Sequence, residues 1–334
     1  MCIRDSRYGD DGTFLIGVTV TDDDTGEVTA RRLISVDNVD PTQVINARED
    51  GAITAPSGDA YLVLAGTEGA VSATATDPGS DDLRFSWTVG DGTPLVTDFF
   101  ANGVGTDPDP SPQVGPREVT DSAVLAYGES CLYGISLTVS DDDGGASQVG
   151  HAAAVVQRLR PDHHEADHEG DDDEDGHVHY DHDRHQPLKY NQWRNEIRQG
   201  DIPADVVHCY VDIAGYLSSV LIGHSEVDGA AFAPTVGVVD ATPLDEDGVP
   251  VVLTQKYPNG STKLEKEQIN FDRVLLATWM NFADGVYQWD TVVDEETGQT
   301  FGEFVAEMEH IRLTTTDYRD LQDAQKQLRD LRKL

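Results

Sequence analysis

The sequence predicts a multi-domain chain, with all-β sandwich repeats in its first half and a mainly α C-terminal domain. Three observations carry this. Several stretches before residue 158 alternate apolar and polar residues, the pattern of half-buried strands. One such hairpin occurs twice at a fixed offset, which is the mark of a repeated domain. Beyond Pro187 the apolar spacing lengthens to that of amphipathic helices.

The repeat is read by setting Tyr8-Gly9 over Tyr127-Gly128. Without a gap, Phe14 falls on Tyr133, Ile16 on Ile135, Val18 on Leu137 and Val20 on Val139. Asp22-Asp23-Asp24 then falls on Asp141-Asp142-Asp143. Each copy is a strand of period two, an acidic turn with Gly26 or Gly144-Gly145, and a second strand over 29–36 or 148–156. The strands that should precede the first hairpin are missing. Residues 1–42 are therefore expected to be a truncated repeat with closing strands only, and any signal peptide to be lost with the missing part. Residues 1–6 have neither strand nor signal character.

Residues 43–158 are expected to hold a complete repeat. Residues 61–64 and 70–76 supply its first strands, with Val71, Ala73 and Ala75 on one face and Ser72, Thr74 and Thr76 on the other. In 85–92, Phe85, Trp87 and Val89 alternate with Ser86 and Thr88, and Gly90-Asp91-Gly92 ends the strand because glycine supplies a positive φ. Residues 93–117 hold Pro94, Pro108, Pro110, Pro112 and Pro116 and are expected to be an inserted loop.

Four stretches are similar to one known family: TDPGSDD at 76–82, FSWTVGDG at 85–92, SDDDGG at 140–145 and the joint NVDPT at 38–42. Together they resemble the PKD domain, an immunoglobulin-like β-sandwich repeat of secreted and surface proteins. The resemblance covers residues 8–156. It departs from the family's usual WDFGDG at Trp87-Thr88-Val89-Gly90-Asp91-Gly92, and the first copy has no GDG strand. It implies a secreted or cell-surface bacterial protein whose repeats act as spacers or adhesive modules and contact extracellular protein or polysaccharide. Residues 276–283 are similar to a helix in C-terminal regions of such proteins, for which no activity is known. Two rival readings stand beside this one: a fragment of an extracellular hydrolase with accessory repeats, and a metal-sequestering protein.

Residues 159–186 change character. Within 162–185 there are eleven Asp and Glu and seven of the chain's eleven histidines, with almost nothing apolar. Such a segment cannot offset the entropy of ordering, so a flexible linker is expected. Residues 187–334 follow as the helical domain. Helices are expected over 202–222, capped by Asp201, over 261–283, closed by Gly285, after the capping box Thr300-Phe301-Gly302-Glu303, and over 316–331. Residues 236–252 are β-branched and turn-rich, which suggests one or two strands.

The chain carries 23 Lys and Arg against 62 Asp and Glu, a formal charge of −39. So acidic a chain repels nucleic acid and attracts cations. No apolar run reaches the ~20 residues of a membrane span. Cys2, Cys131 and Cys209 lie far apart, with no CxxC pair, so no disulfide framework is expected. Cys131 on an alternating strand and Cys209 on an apolar helix read as small buried hydrophobes.

No catalytic motif stands in a credible context, and the reading leans away from an enzyme. His164-Glu165-Ala166-Asp167-His168 matches HExxH, but lacks the apolar helix a zincin needs. Residues 171–176 match the start of an EF-hand loop, with Asp171, Asp173 and Asp175 as calcium ligands, but His182 stands where a bidentate Glu is required. His163, His164, His168, His177, His179, His182 and His185 suit zinc or another transition metal. The acidic turns add Asp22, Asp24, Asp141 and Asp143 as calcium candidates, with Asp77, Asp81 and Asp82 expected nearby after folding.

Overall fold

The computed structural model describes residues 8–9, 11–46, 52–90, 94–100, 116–158, 186–223, 226–227, 230–231 and 237–331. Its first half is β: β1 (Gly12–Thr21), β2 (Glu27–Val36), β3 (Thr42–Ile45), β4 (Ala52–Ala55), β5 (Gly58–Leu64), β6 (Glu68–Asp77), β7 (Leu83–Val89), β8 (Leu95–Phe99), β9 (Arg117–Ala126), β10 (Leu132–Asp141) and β11 (Gly150–Gln157). Among the described residues six helices follow: α1 (Tyr190–Gln199), α2 (Ala204–Leu217), α3 (Val251–Thr254), α4 (Lys263–Ala283), α5 (Phe301–Thr314) and α6 (Tyr318–Asp330).

The chain divides into two compact units. One comprises Met1–Arg48, Ala70–Val124 and Ile135–Ala152. Here β1 and β2 form a two-stranded antiparallel sheet, β3-β6-β9 a three-stranded one, and β7 lies between β10 and β8. The period-two pattern becomes burial. Val71, Ala73 and Ala75 of β6, Leu83, Phe85 and Trp87 of β7, and Ile135, Leu137 and Val139 of β10 are all buried. The Trp87 indole donates to Asp121 Oδ2 at 3.0 Å, which satisfies the one polar atom this large side chain takes out of water. Gly90 has φ +69°, as the end of the strand requires. The expected loop over 93–117 contains β8, paired antiparallel along β7 from Leu83↔Phe99 to Trp87↔Leu95. Its alternation was hidden by the proline-rich stretch that follows.

The other unit comprises Glu49–Gly69, Leu125–Gly134 and Ala153–Leu334. The β4–β5 hairpin is antiparallel, and β5 runs parallel to the end of β11 from Ala60↔Ala153 to Leu64↔Gln157. Ile53, Ala55, Ala60, Leu132, Ala153 and Val155 share one hydrophobic core with Trp193 and the buried faces of α2, α4, α5 and α6. Gln157 is buried and donates to the carbonyls of Phe282 and Tyr287. Asn281 brackets Leu188 through both backbone groups, at 2.8 and 2.9 Å.

The helices hold to their sequence signals, with four differences. Helix α4 starts at a Thr262/Glu265 capping box and α5 at the expected Thr300/Glu303 box. Helix α2 starts after Pro203, not Asp201, and ends at Leu217, because Ser218 is extended. Helix α1 was not expected: its mean hydropathy is low, and only Trp193 and Ile197 anchor it. Of the expected 236–252 stretch, the described residues 237–252 give one two-residue strand, Val239–Asp240, and the start of α3 in place of longer strands. The reading of the cysteines is also corrected. Cys131 and Cys209 are joined by a disulfide, with Cα atoms 4.6 Å apart. A separation of 78 residues left no local motif to reveal it.

Candidate functional site: a buried carboxylate cluster

The inward rows of β6 and β10 both end in an aspartate. Val71, Ala73 and Ala75 are followed at the same parity by Asp77, and Ile135, Leu137 and Val139 by Asp141. Asp81 stands two residues ahead of Leu83, at the parity of the inward row of β7. Alternation therefore delivers Asp77 and Asp141 to one end of the core, and the turn before β7 brings Asp81 beside them. Asp77, Asp81 and Asp141 each offer a carboxylate oxygen, and these oxygens lie within 4.8 Å of one another. All three residues are buried, Asp77 with 0% of its surface exposed.

Local backbone holds the carboxylates of Asp77 and Asp141. Asp77 Oδ1 accepts the Gly79 N–H at 2.6 Å. Asp141 Oδ1 accepts the Gly145 N–H at 2.6 Å, and its Oδ2 accepts the Asn38 side-chain amide at 2.9 Å. A Cβ at Gly145 would collide with the Asp141 carboxylate, so glycine is required for this close approach. Two more acids lie alongside. Asp142 Oδ1 accepts the Asp82 N–H at 3.0 Å, and Asp82 pairs with Arg117 at 3.7 Å. Arg117 also donates to the Asp81 carbonyl at 3.0 Å.

The electrostatics are strained. Burial pushes the Asp77 carboxyl above its ordinary range, with Asp141 and Asp142 adding to the rise while the Gly79 N–H and Arg117 oppose it. Burial raises Asp142 as well, joined by Asp82 and Asp141. Asp77 Oδ2 is buried without a hydrogen-bond partner. An ionised oxygen in that position is costly unless a cation meets it.

An all-oxygen donor set selects a hard cation of the Ca²⁺ or Mg²⁺ kind, and oxygens within 4.8 Å of one another can be ligands of one such ion. Asp77, Asp81 and Asp141 are the residues that would hold it.

The other candidates divide. Asp22 and Asp24 sit exposed in the β1–β2 turn, where Asp22 Oδ1 accepts the N–H groups of Asp24 and Gly26. Asp143 is exposed in the β10–β11 turn, apart from the clustered oxygens. Asp171, Asp173, Asp175, His163, His164, His168, His177, His179, His182 and His185 lie outside the described residues. Of the candidate ligands, Asp141 alone joins a cluster among the described residues. Asp77 and Asp81 were expected as its neighbours but not as the ligands.

No protein-family model matches this chain, and no curated protein matches it. Solved structures resemble parts of it. A PKD domain of an M14-like peptidase from Thermoplasmatales archaeon SCGC AB-540-F20 is 17% identical, over 36% of this chain and 98% of that one, with a TM-score of 0.24. Fibronectin(III)-like modules of Clostridium thermocellum CbhA are 19% identical, over 47% of this chain and 69% of that one, with a TM-score of 0.24. A CARDB domain from Pyrococcus furiosus is 13% identical, over 35% and 94%, with a TM-score of 0.21. Similarity at this level says nothing of activity.

Proposed function

We propose that the chain is a secreted or cell-surface binding or spacer protein whose β unit is fastened by a calcium ion at Asp77, Asp81 and Asp141. The observation that carries the calcium reading is the Asp77 carboxylate, fully buried with Oδ2 unpartnered, between two other buried carboxylates. A cation there offsets the repulsion and ties β6, β10 and the turn before β7 together. Extended modules that keep their shape under load gain from such a fastening, and contact with extracellular protein or polysaccharide is the role it would serve. The Cys131–Cys209 disulfide supports an oxidising compartment. Among the described residues no helix is long and apolar enough to cross a membrane.

The test is calorimetric titration and thermal melting of chelator-treated protein with Ca²⁺, alongside Asp77→Asn and Asp141→Asn variants. Ca²⁺ should bind and raise the melting temperature of the parent chain, by the equivalent of about 2.7 kcal/mol at a hundredfold excess over Kd. Both variants should lose most of that rise. A parent melt indifferent to millimolar Ca²⁺ would overturn the reading.

A further inference from the structure

The chain contains its own control for what a hairpin of this kind needs. Phe14, Ile16, Val18 and Val20 of β1 stand opposite Ile34, Arg32, Ala30 and Val28 of β2. This face is apolar apart from the arginine. The opposite face carries Thr13, Ser35, Gly17, Arg31, Thr19 and Thr29 besides Leu15 and Leu33. By alternation the first face is an inside face. Yet Ile16, Val18 and Val20 are 38%, 57% and 65% exposed, and Val28 71%. Their counterparts in the second copy, Ile135, Leu137 and Val139, are each 0% exposed.

The difference has a visible cause. In the second copy β7 is paired along β10, with Val89 opposite Ile135, Trp87 opposite Leu137 and Phe85 opposite Val139. Along β1, among the described residues, β2 is the sole partner strand, and the outer edge is bare. A two-stranded ribbon with an uncovered apolar face is marginal by itself, and a bare edge is a template for strand addition.

We propose that the outer edge of β1 takes a strand with the pattern of β7, donated by a further repeat of the same kind. The offset fixes its chemistry: a β-branched residue opposite Ile16, and large aromatics opposite Val18 and Val20. Backbone hydrogen bonds supply the affinity and the alternate side chains the register. A second copy of this chain cannot donate the strand, because its own β7 lies between β10 and β8. The inference does not depend on the cation site.

The test fuses the sequence of Leu83–Val89 to the N-terminus of the full chain through a flexible Gly/Ser linker, which raises the effective concentration of the strand. Hydrogen exchange is then followed at the amides of β1. The fusion should slow the outward-facing amides by roughly tenfold or more. Val18→Lys should abolish the slowing, whereas Thr19→Lys, on the opposite face, should preserve it. Unchanged exchange in the fusion overturns the proposal. So does a concentration-dependent dimer of the unfused chain that Val18→Lys dissolves, because the face would then belong to a second copy.

Discussion

Asp22 and Asp141 close the same turn in two places: each Oδ1 accepts the N–H of the glycine four residues on, Gly26 or Gly145, at 2.6 Å. Backbone N–H groups of the same two aspartates donate to the same two glycine carbonyls, at 3.0 and 3.1 Å. The local chemistry is copied, but the surroundings are not. Asp22 is exposed, whereas Asp141 is buried, bonded to Asn38 and set among other carboxylates.

That contrast gives a paired test. A methyl group at either glycine would press on its aspartate carboxylate. Gly145→Ala should therefore weaken calcium binding at least several-fold by displacing the Asp141 oxygens. Gly26→Ala should leave it unchanged. Calorimetric titration of both variants reads the difference, and equal effects would show that the acidic cluster is not the binding site.

Trp87 is buried and hydrogen-bonded to Asp121. Trp87→Ala should cost about 3–5 kcal/mol as a large-to-small core change. Denaturant unfolding followed by circular dichroism measures this. A loss under 1 kcal/mol would be inconsistent with the packing described.

Joining Cys131 to Cys209 removes freedom from the unfolded chain across a separation of 78 residues. Cys209→Ser should lower stability by about 2–5 kcal/mol. Alkylation of the denatured parent without reductant should modify neither residue, as peptide mass spectrometry would show.

Arg312 holds Asp272 by two hydrogen bonds of 2.8 and 3.0 Å in a buried setting. Arg312→Met strands that carboxylate and should cost about 3–5 kcal/mol at neutral pH. The loss should shrink on acidification. Burial already raises the Asp272 carboxyl above 3.8, with Arg312 opposing the rise, so removing the arginine raises it further. Between the ordinary and the raised value the folded chain holds a proton that the unfolded chain has released, so stability increases as pH falls through that window. Urea melts of parent and variant from neutral pH downward should converge. Parallel curves would argue that Asp272 is not the group responsible.

Strand positions were legible where alternation was strict, as in β1, β6, β7 and β10, because a two-residue period sets one face of a strand apart from the other; in β6, β7 and β10 that face is buried. The same rule, extended by two residues, would have placed Asp77 and Asp141 inside. Aspartate at a strand end ordinarily signals a turn, which masks that placement. Long-range pairings were less accessible. Cys131 meets Cys209, and Gln157 meets Phe282 and Tyr287, through tertiary folding that no local pattern encodes. Helix α1 escaped for a related reason: two anchoring side chains in ten residues make a weak signal, and its stability comes from the core it joins.

The disulfide also decides what a protease can release. Every peptide bond between Cys131 and Cys209 lies inside a loop closed by sulfur. A nick anywhere in that interval leaves two polypeptides that still travel as one molecule, and they part only when a reductant reaches the bond and the shared core lets go. A cut between the β half and the helices would therefore shed neither piece until that bond is reduced.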